Sequence, residues 1–219
     1  RERLNSEDDA AARERKFVAM TEAPVSPLVL KMAVPTTISM VVTTLYNLVD
    51  SVFVGHLSTE ATAGIGITLT YMTVVNALGF FLGHGSGNYI SRLLGAQKWN
   101  DAERIAATGF ISALILGTVV AAAGLIFIRP MVTLLGATPE IASYAVSYVR
   151  YILIATPFLM SSVVMNNQLR HQGNALFSMV GLASGAVLNI ALDPLLIYVL
   201  DMGVAGASLA TLISQVFSW

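Results

Sequence analysis

Apolar stretches of about twenty residues follow one another along nearly the whole chain, and that pattern excludes most folds at once. At a helical rise of about 1.5 Å per residue, each stretch is long enough to cross the roughly 30 Å of hydrocarbon in a bilayer. Six can be placed, at about 32–54, 62–87, 106–128, 148–169, 176–200 and 204–219. The runs are continuous and do not alternate, so they predict membrane helices and argue against a β-barrel. Charge is distributed to match. Charged residues make up 11% of the chain, and residues 1–31 hold twelve of the twenty-five, six basic and six acidic. The expected organisation is a charged leader over 1–31 and a helical membrane lobe over 32–219. The sixth run, about 24 Å long as a helix, is short for a crossing, so the chain reads as part of a longer protein.

Several function classes fall away on composition. The formal net charge is −1 and basic residues do not cluster beyond the leader, which argues against a nucleic-acid partner. There is no cysteine, so no disulfide framework exists. His56, His84 and His171 lie far apart with no metal-type spacing. The charged leader and the length of the first run speak against a cleaved signal peptide. Lys and Arg fall in the leader, at Arg92, Lys98 and Arg104 after the second span, and at Arg170 after the fourth, while the breaks after the first and fifth spans have none and that after the third has only Arg129 at its edge. By the positive-inside rule the N-terminus is then cytoplasmic, in a multi-pass protein of the cytoplasmic (inner) membrane. Arg150, early in the fourth span, is placed to snorkel to the outer headgroups. Residues 130–147 read as an external loop followed by a short helix.

Two carboxylates interrupt the apolar runs, Asp50 and Asp193. An acid near the centre of a membrane helix costs about 2.5–3.5 kcal/mol on insertion scales unless it is protonated, paired or solvated. The first and fifth spans run in the same direction, and roughly 18 residues precede each acid in its span, so the two reach a similar depth in the outer half. Asn189 precedes Asp193 by four residues and shares its helix face. Thr211 and Asp193 are each nine residues from Met202, in the turn between the fifth and sixth spans, which returns the hydroxyl to the depth of the acid. Two carboxylates, an amide oxygen and a hydroxyl form a hard donor set suited to a small hard cation, and equally to protons. Hydrogen bonding between helices, or simple hydration of Asp50 near the interface, would also account for the acids.

Pro35 lies fifteen residues before Asp50 and offers a hinge in the first span. Tyr46, Asn47, Tyr148 and Asn166 are candidates for lining a wet cavity, as are Tyr71, Asn76, Asn167 and Gln168. Gly83, Gly85 and Gly87 continue a membrane helix with no strand before them, so they indicate close helix packing and not a dinucleotide loop.

Five stretches carry a resemblance: L-Y-N-L-V-D-S-V-F-V-G (45–55), S-R-L-L-G-A-Q (91–97), L-L-G-A-T-P-E (134–140), L-N-I-A-L-D-P-L-L-I-Y (188–198) and G-V-A-G-A-S-L-A-T (203–211). In order and spacing they resemble the multidrug and toxic compound extrusion (MATE) family, in its bacterial DinF-like branch. The resemblance implies an all-α membrane protein, here the six-helix N-terminal lobe of a twelve-helix, two-lobed transporter whose C-terminal lobe is the missing partner. It further implies a cation site at Asp50, Asn189, Asp193 and Thr211, binding Na⁺ in a sodium-coupled member, and bending of the first helix at Pro35. No cofactor is implied beyond H⁺ or Na⁺ as coupling ion. The implied activity is antiport, with cationic or amphipathic drug-like compounds leaving as the ion enters, and no enzymatic reaction. Three rivals stand beside it. A lipid-linked oligosaccharide flippase would want basic cavity residues, for which Arg150 is the candidate. A membrane receptor or scaffold would bind without flux. An intramembrane aspartyl protease would need Y-D and G-x-G-D motifs, which do not occur.

Overall fold

The computed structural model describes Ala11, Glu14, Arg15, residues 17–56 and residues 59–218, apart from the side chains of Glu60 and Ala61. Most of the first sixteen leader residues and Trp219 lie outside the described residues. Among those described there is no strand. The helices are α1 (Val25–Gly55), α2 (Thr59–Gly95), α3 (Trp99–Ile126), α4 (Ile128–Leu134), α5 (Pro139–His171), α6 (Ala175–Pro194) and α7 (Val204–Ser218), with one π-helical turn, Leu195–Val199, between α6 and α7. Five are long and apolar enough to cross a membrane: α1, α2, α3, α5, and α6 continued by the π turn.

Helices outrun the apolar runs that announce them, because hydropathy marks what lipid tolerates while backbone hydrogen bonding continues until something stops it. Thus α1 starts at Val25, after Pro24, and α3 starts at Trp99. Three of the stops share one geometry. At Gly136 and Gly173 the chain enters the left-handed region (φ 105° and 78°). Ala137 N–H then donates to Val132 O, and Asn174 N–H to Leu169 O, the wrapped bond that closes a helix C-terminus. Gln97 takes the same conformation at the end of α2 without being glycine. Residues 130–147 are not a loop followed by a short helix. Pro130 lies inside α4, a turn follows, and α5 is already under way from Pro139, with Pro tolerated at its first position. Arg150 therefore stands eleven residues into α5, about 17 Å from its start, on an exposed face.

The long helix α5 is the centre of the lobe. Of its most apolar window 61% is buried, against 6% for α1. Small residues let its neighbours approach. A Cβ on Gly79 would meet Val163, one on Gly83 would meet Asn167 and Val164, and one on Gly87 would meet His171. These pairs advance together by four residues, so α2 and α5 run parallel along a glycine stripe, the small-xxx-small arrangement of close membrane helices. Gly85 faces nothing within 4 Å and takes no part. On the other side, Gly117 and Gly124 of α3 meet Pro157 and Leu153, an antiparallel contact. Gln168 ties these three helices near one end, donating to Ser86 Oγ (3.0 Å) and to the Ala106 carbonyl (3.2 Å).

A Cβ at Gly117 would stand 2.7 Å from Pro157 Cα, a backbone atom that cannot swing aside. Gly117→Ala is therefore expected to lower stability by about 1–3 kcal/mol. Gly85→Ala should leave it unchanged or slightly raised. Thermal unfolding of the two variants in detergent checks the contrast.

Candidate functional site

Asp50 and Asp193 arrive at one level because the far ends of α1 and α6 are clamped together. The Tyr198 hydroxyl, in the π turn, donates to the Phe53 carbonyl at 2.7 Å, and the two rings meet edge to face at 6.1 Å. The π turn follows directly on Pro194, which has no N–H to continue the α ladder. It also receives α7 closely, since a Cβ on Gly206 would stand 2.6 Å from the Leu196 carbonyl oxygen.

The site is built inside this clamp. Asp193 is fully buried and Asp50 is 7% exposed. The Tyr148 hydroxyl of α5 donates to Asp50 Oδ2 at 3.1 Å. Asn189 Nδ2 donates to Asp193 Oδ1 at 3.5 Å, a long bond from the same helix face. The two carboxylates interact electrostatically with each other, and Tyr148 also senses Asp193 and Tyr46. Thr211 is buried and donates to the Ala207 carbonyl of its own helix at 3.1 Å, which leaves its oxygen lone pairs free. A cleft of ≈ 20 Å³, room for about one water-sized particle, is lined by Tyr46, Asn189, Thr211 and Ser214 among others.

Among the described residues four buried side-chain atoms have no hydrogen-bond partner: Asp50 Oδ1, Asn189 Oδ1, Asp193 Oδ2 and Ser214 Oγ. All four are oxygens, and three belong to residues singled out in the sequence. Buried polar groups in native proteins are nearly always paired, so these four buried oxygens are acceptors with spare capacity. Hard oxygens of this kind fit Na⁺ or a proton. Sequence reasoning missed Ser214, although it lies three residues after Thr211 and hence on nearly the same helix face. It also placed Tyr148 on a cavity wall, whereas the structure buries it against Asp50.

A second feature is a groove along α1, α2 and α5. Two cavities, of ≈ 600 and ≈ 580 Å³, share Met40, Phe80, Asn167 and Arg170 in their walls and so adjoin. Tyr46, Asn47, Asn76 and Asn166 line it. Asn166 also accepts from Ser178 Oγ (2.8 Å), which in turn accepts from Arg170 Nε (3.2 Å), a chain linking α5 to α6. Tyr71 is buried elsewhere, its hydroxyl 2.7 Å from Thr156 Oγ1. Arg150 is in neither cavity wall.

Five membrane-length helices, a buried acid pair and an open groove define a multi-pass membrane protein. The MatE family model matches residues 35–195, and the chain belongs to that family. Among curated relatives it is 30% identical to the multidrug export protein MepA of Staphylococcus haemolyticus over 93% of its length and 45% of that protein's, and 28% identical to MepA of Staphylococcus aureus over 93% and 46%. The chain thus spans about half the length of the curated relatives it matches. Among solved structures it superposes at 33% identity on a MATE protein in a bent conformation (TM-score 0.85, 92% of this chain, 45% of that one). A MOP superfamily transporter from Pyrococcus furiosus, whose reversed pocket polarity suggests a different function for that protein, is equally similar (33% identity, TM-score 0.86, 92% and 44%). The lobe described here corresponds to the N-terminal lobe of such transporters.

An unpaired buried hydroxyl costs about 1–3 kcal/mol. Ser214→Ala is therefore expected to raise the thermal midpoint when neither Na⁺ nor low pH is supplied. A lowered midpoint under those conditions would show that the hydroxyl has a partner.

Proposed function

We propose that this lobe belongs to a secondary multidrug efflux transporter, which loads H⁺ or Na⁺ at Asp50, Asn189, Asp193 and Thr211 and exports cationic or amphipathic compounds held in the groove. The observation that carries this reading is that Asp50, Asn189 and Asp193 each keep a buried oxygen without a partner, on helices that the Tyr198–Phe53 and Tyr148–Asp50 bonds tie together. The name of the MepA relatives and the family membership support it. The groove suits the cargo: it is mostly apolar, with aromatic and amide groups at Tyr46, Phe80 and Asn76 to orient a flat cation.

Coupling needs the ion to bind the two states of the transporter unequally. Pro35 gives α1 a place to respond. In this structure the helix passes through it unbroken, but Pro35 has no N–H to donate to the Lys31 carbonyl, so that turn is held by one bond fewer. Loading a cation beside Asp50 changes the charge of the same helix fifteen residues further along. A change in α1 packing about Pro35 then reshapes the groove wall that Ser39, Met40 and Thr43 form. A second reading, export of an anionic amphiphile such as a lipid-linked phosphate, is favoured by Arg170, which stands in the wall of both cavities.

The test is efflux from vesicles carrying the full-length protein, with a pH gradient and a Na⁺ gradient imposed separately. Gradient-driven loss of a fluorescent cation is expected. Asp50→Asn and Asp193→Asn should each reduce it to the level of empty vesicles while insertion is unchanged. Pro35→Ala should slow transport with substrate binding intact. Flux of a fluorescent cation that survives both carboxylate changes would overturn the site, and flux of an anionic lipid analogue alone would favour the second reading.

A further inference from the structure

The three histidines lack any metal-type spacing in sequence, yet the packing of α2 on α5 brings two of them together. His84 Nδ1 and His171 Nε2 are 3.3 Å apart, and their rings stand nearly perpendicular, 84° between planes. Gly87 makes this possible, because a Cβ there would run into the His171 ring. His84 is held from its other face by stacking on Phe80, and Ser91 Oγ donates to the His171 carbonyl at 2.8 Å, fixing the end of α5 against α2. Both imidazoles stand in the wall of the ≈ 600 Å³ cavity. Along α5, His171 lies 23 residues from Tyr148, about 35 Å, so the pair is separate from the carboxylate site.

Two neutral imidazoles so placed share one N–H···N bond or turn both lone pairs on a third atom. Nitrogens bound to zinc at about 2.0–2.1 Å and set at the tetrahedral angle are about 3.3–3.4 Å apart, the separation found here. We propose that His84 and His171 form a two-histidine site for a divalent transition-metal ion of the Zn²⁺ and Cu²⁺ class, with water completing its coordination from the cavity. Imidazole is the ligand such ions select. Among the described residues no third histidine or acid joins the pair, so at least two positions stay open to water or to a donor atom of a compound in the groove. The cation that shares the cavity wall, Arg170, directs its Nε to Ser178 on α6.

Copper titrated into the purified full chain, freed of any histidine tag, is read by electron paramagnetic resonance, with Zn²⁺ as competitor. One Cu²⁺ per chain with hyperfine splitting from two nitrogens is expected, displaced by Zn²⁺. His84→Gln and His171→Gln should each weaken binding by about tenfold or more, and His56→Gln should leave it unchanged. Thermal unfolding in parallel separates binding from folding: Zn²⁺ should raise the wild-type midpoint and should fail to raise that of either variant. If one variant does not fold, the other and the wild-type spectrum decide. No Cu²⁺ bound by the wild type, a one-nitrogen spectrum, or wild-type affinity in either variant would overturn the site.

Discussion

Hydrocarbon does not accept an unpaired carboxylate, and the lobe has two. Asp50 and Asp193 are carried by different helices, and the structure resolves the problem by turning both inward to one level, where Tyr148 and Asn189 each supply a donor. That solution fixes much else. It requires α1 and α6 to be registered, which the Tyr198 clamp on Phe53 achieves. It requires a polar residue from α5 at the same depth, so α5 must pass through the middle. It still leaves one oxygen of each acid without a partner. An arrangement that stops one donor short on each carboxylate stabilises the pair incompletely by itself, and a cation is what the proposed function supplies there.

The central position of α5 sets how the remaining helices pack. In lipid there is little hydrophobic gain from bringing helices together, so contact must come from close backbone approach and hydrogen bonds. The glycine stripe of α2 and the antiparallel glycines of α3 provide the first, and Gln168, Tyr71 and Ser91 the second. The lightly buried α1 carries Asp50 at one end and Pro35 near the other, and it forms one wall of the groove. The helix least held by its neighbours is therefore the one that joins the acid pair to the groove.

Helices and their order were legible because lipid imposes a length and an apolar composition that few other sequences share. That Asp50, Asn189, Asp193 and Thr211 turn inward together could be expected too, since helical rise and periodicity convert sequence position to depth and face; all four are buried. What could not be read depended on rotation and lateral packing. Tyr148 sits where hydropathy begins its span, so its burial against Asp50 was invisible without the turn at Gly136 and the early start of α5. Ser214 carried only the weak signal of its spacing from Thr211. Residues 130–147 were misread because Pro130 and Pro139 look like loop formers, whereas each falls in the first turn of a helix. His84 and His171, 87 residues apart, meet only because α2 and α5 run parallel at close range.

The central claim is that the two acids act as one cation-loading site. The direct measurement is the thermal midpoint of the wild type, Asp50→Asn, Asp193→Asn and the double variant, each titrated with Na⁺ and with acid. Cation-dependent stabilisation should be present in the wild type, absent from both single variants, and no further reduced in the double variant, the non-additivity of residues sharing one site. Losses that add independently, or a cation response that survives either single change, would contradict it.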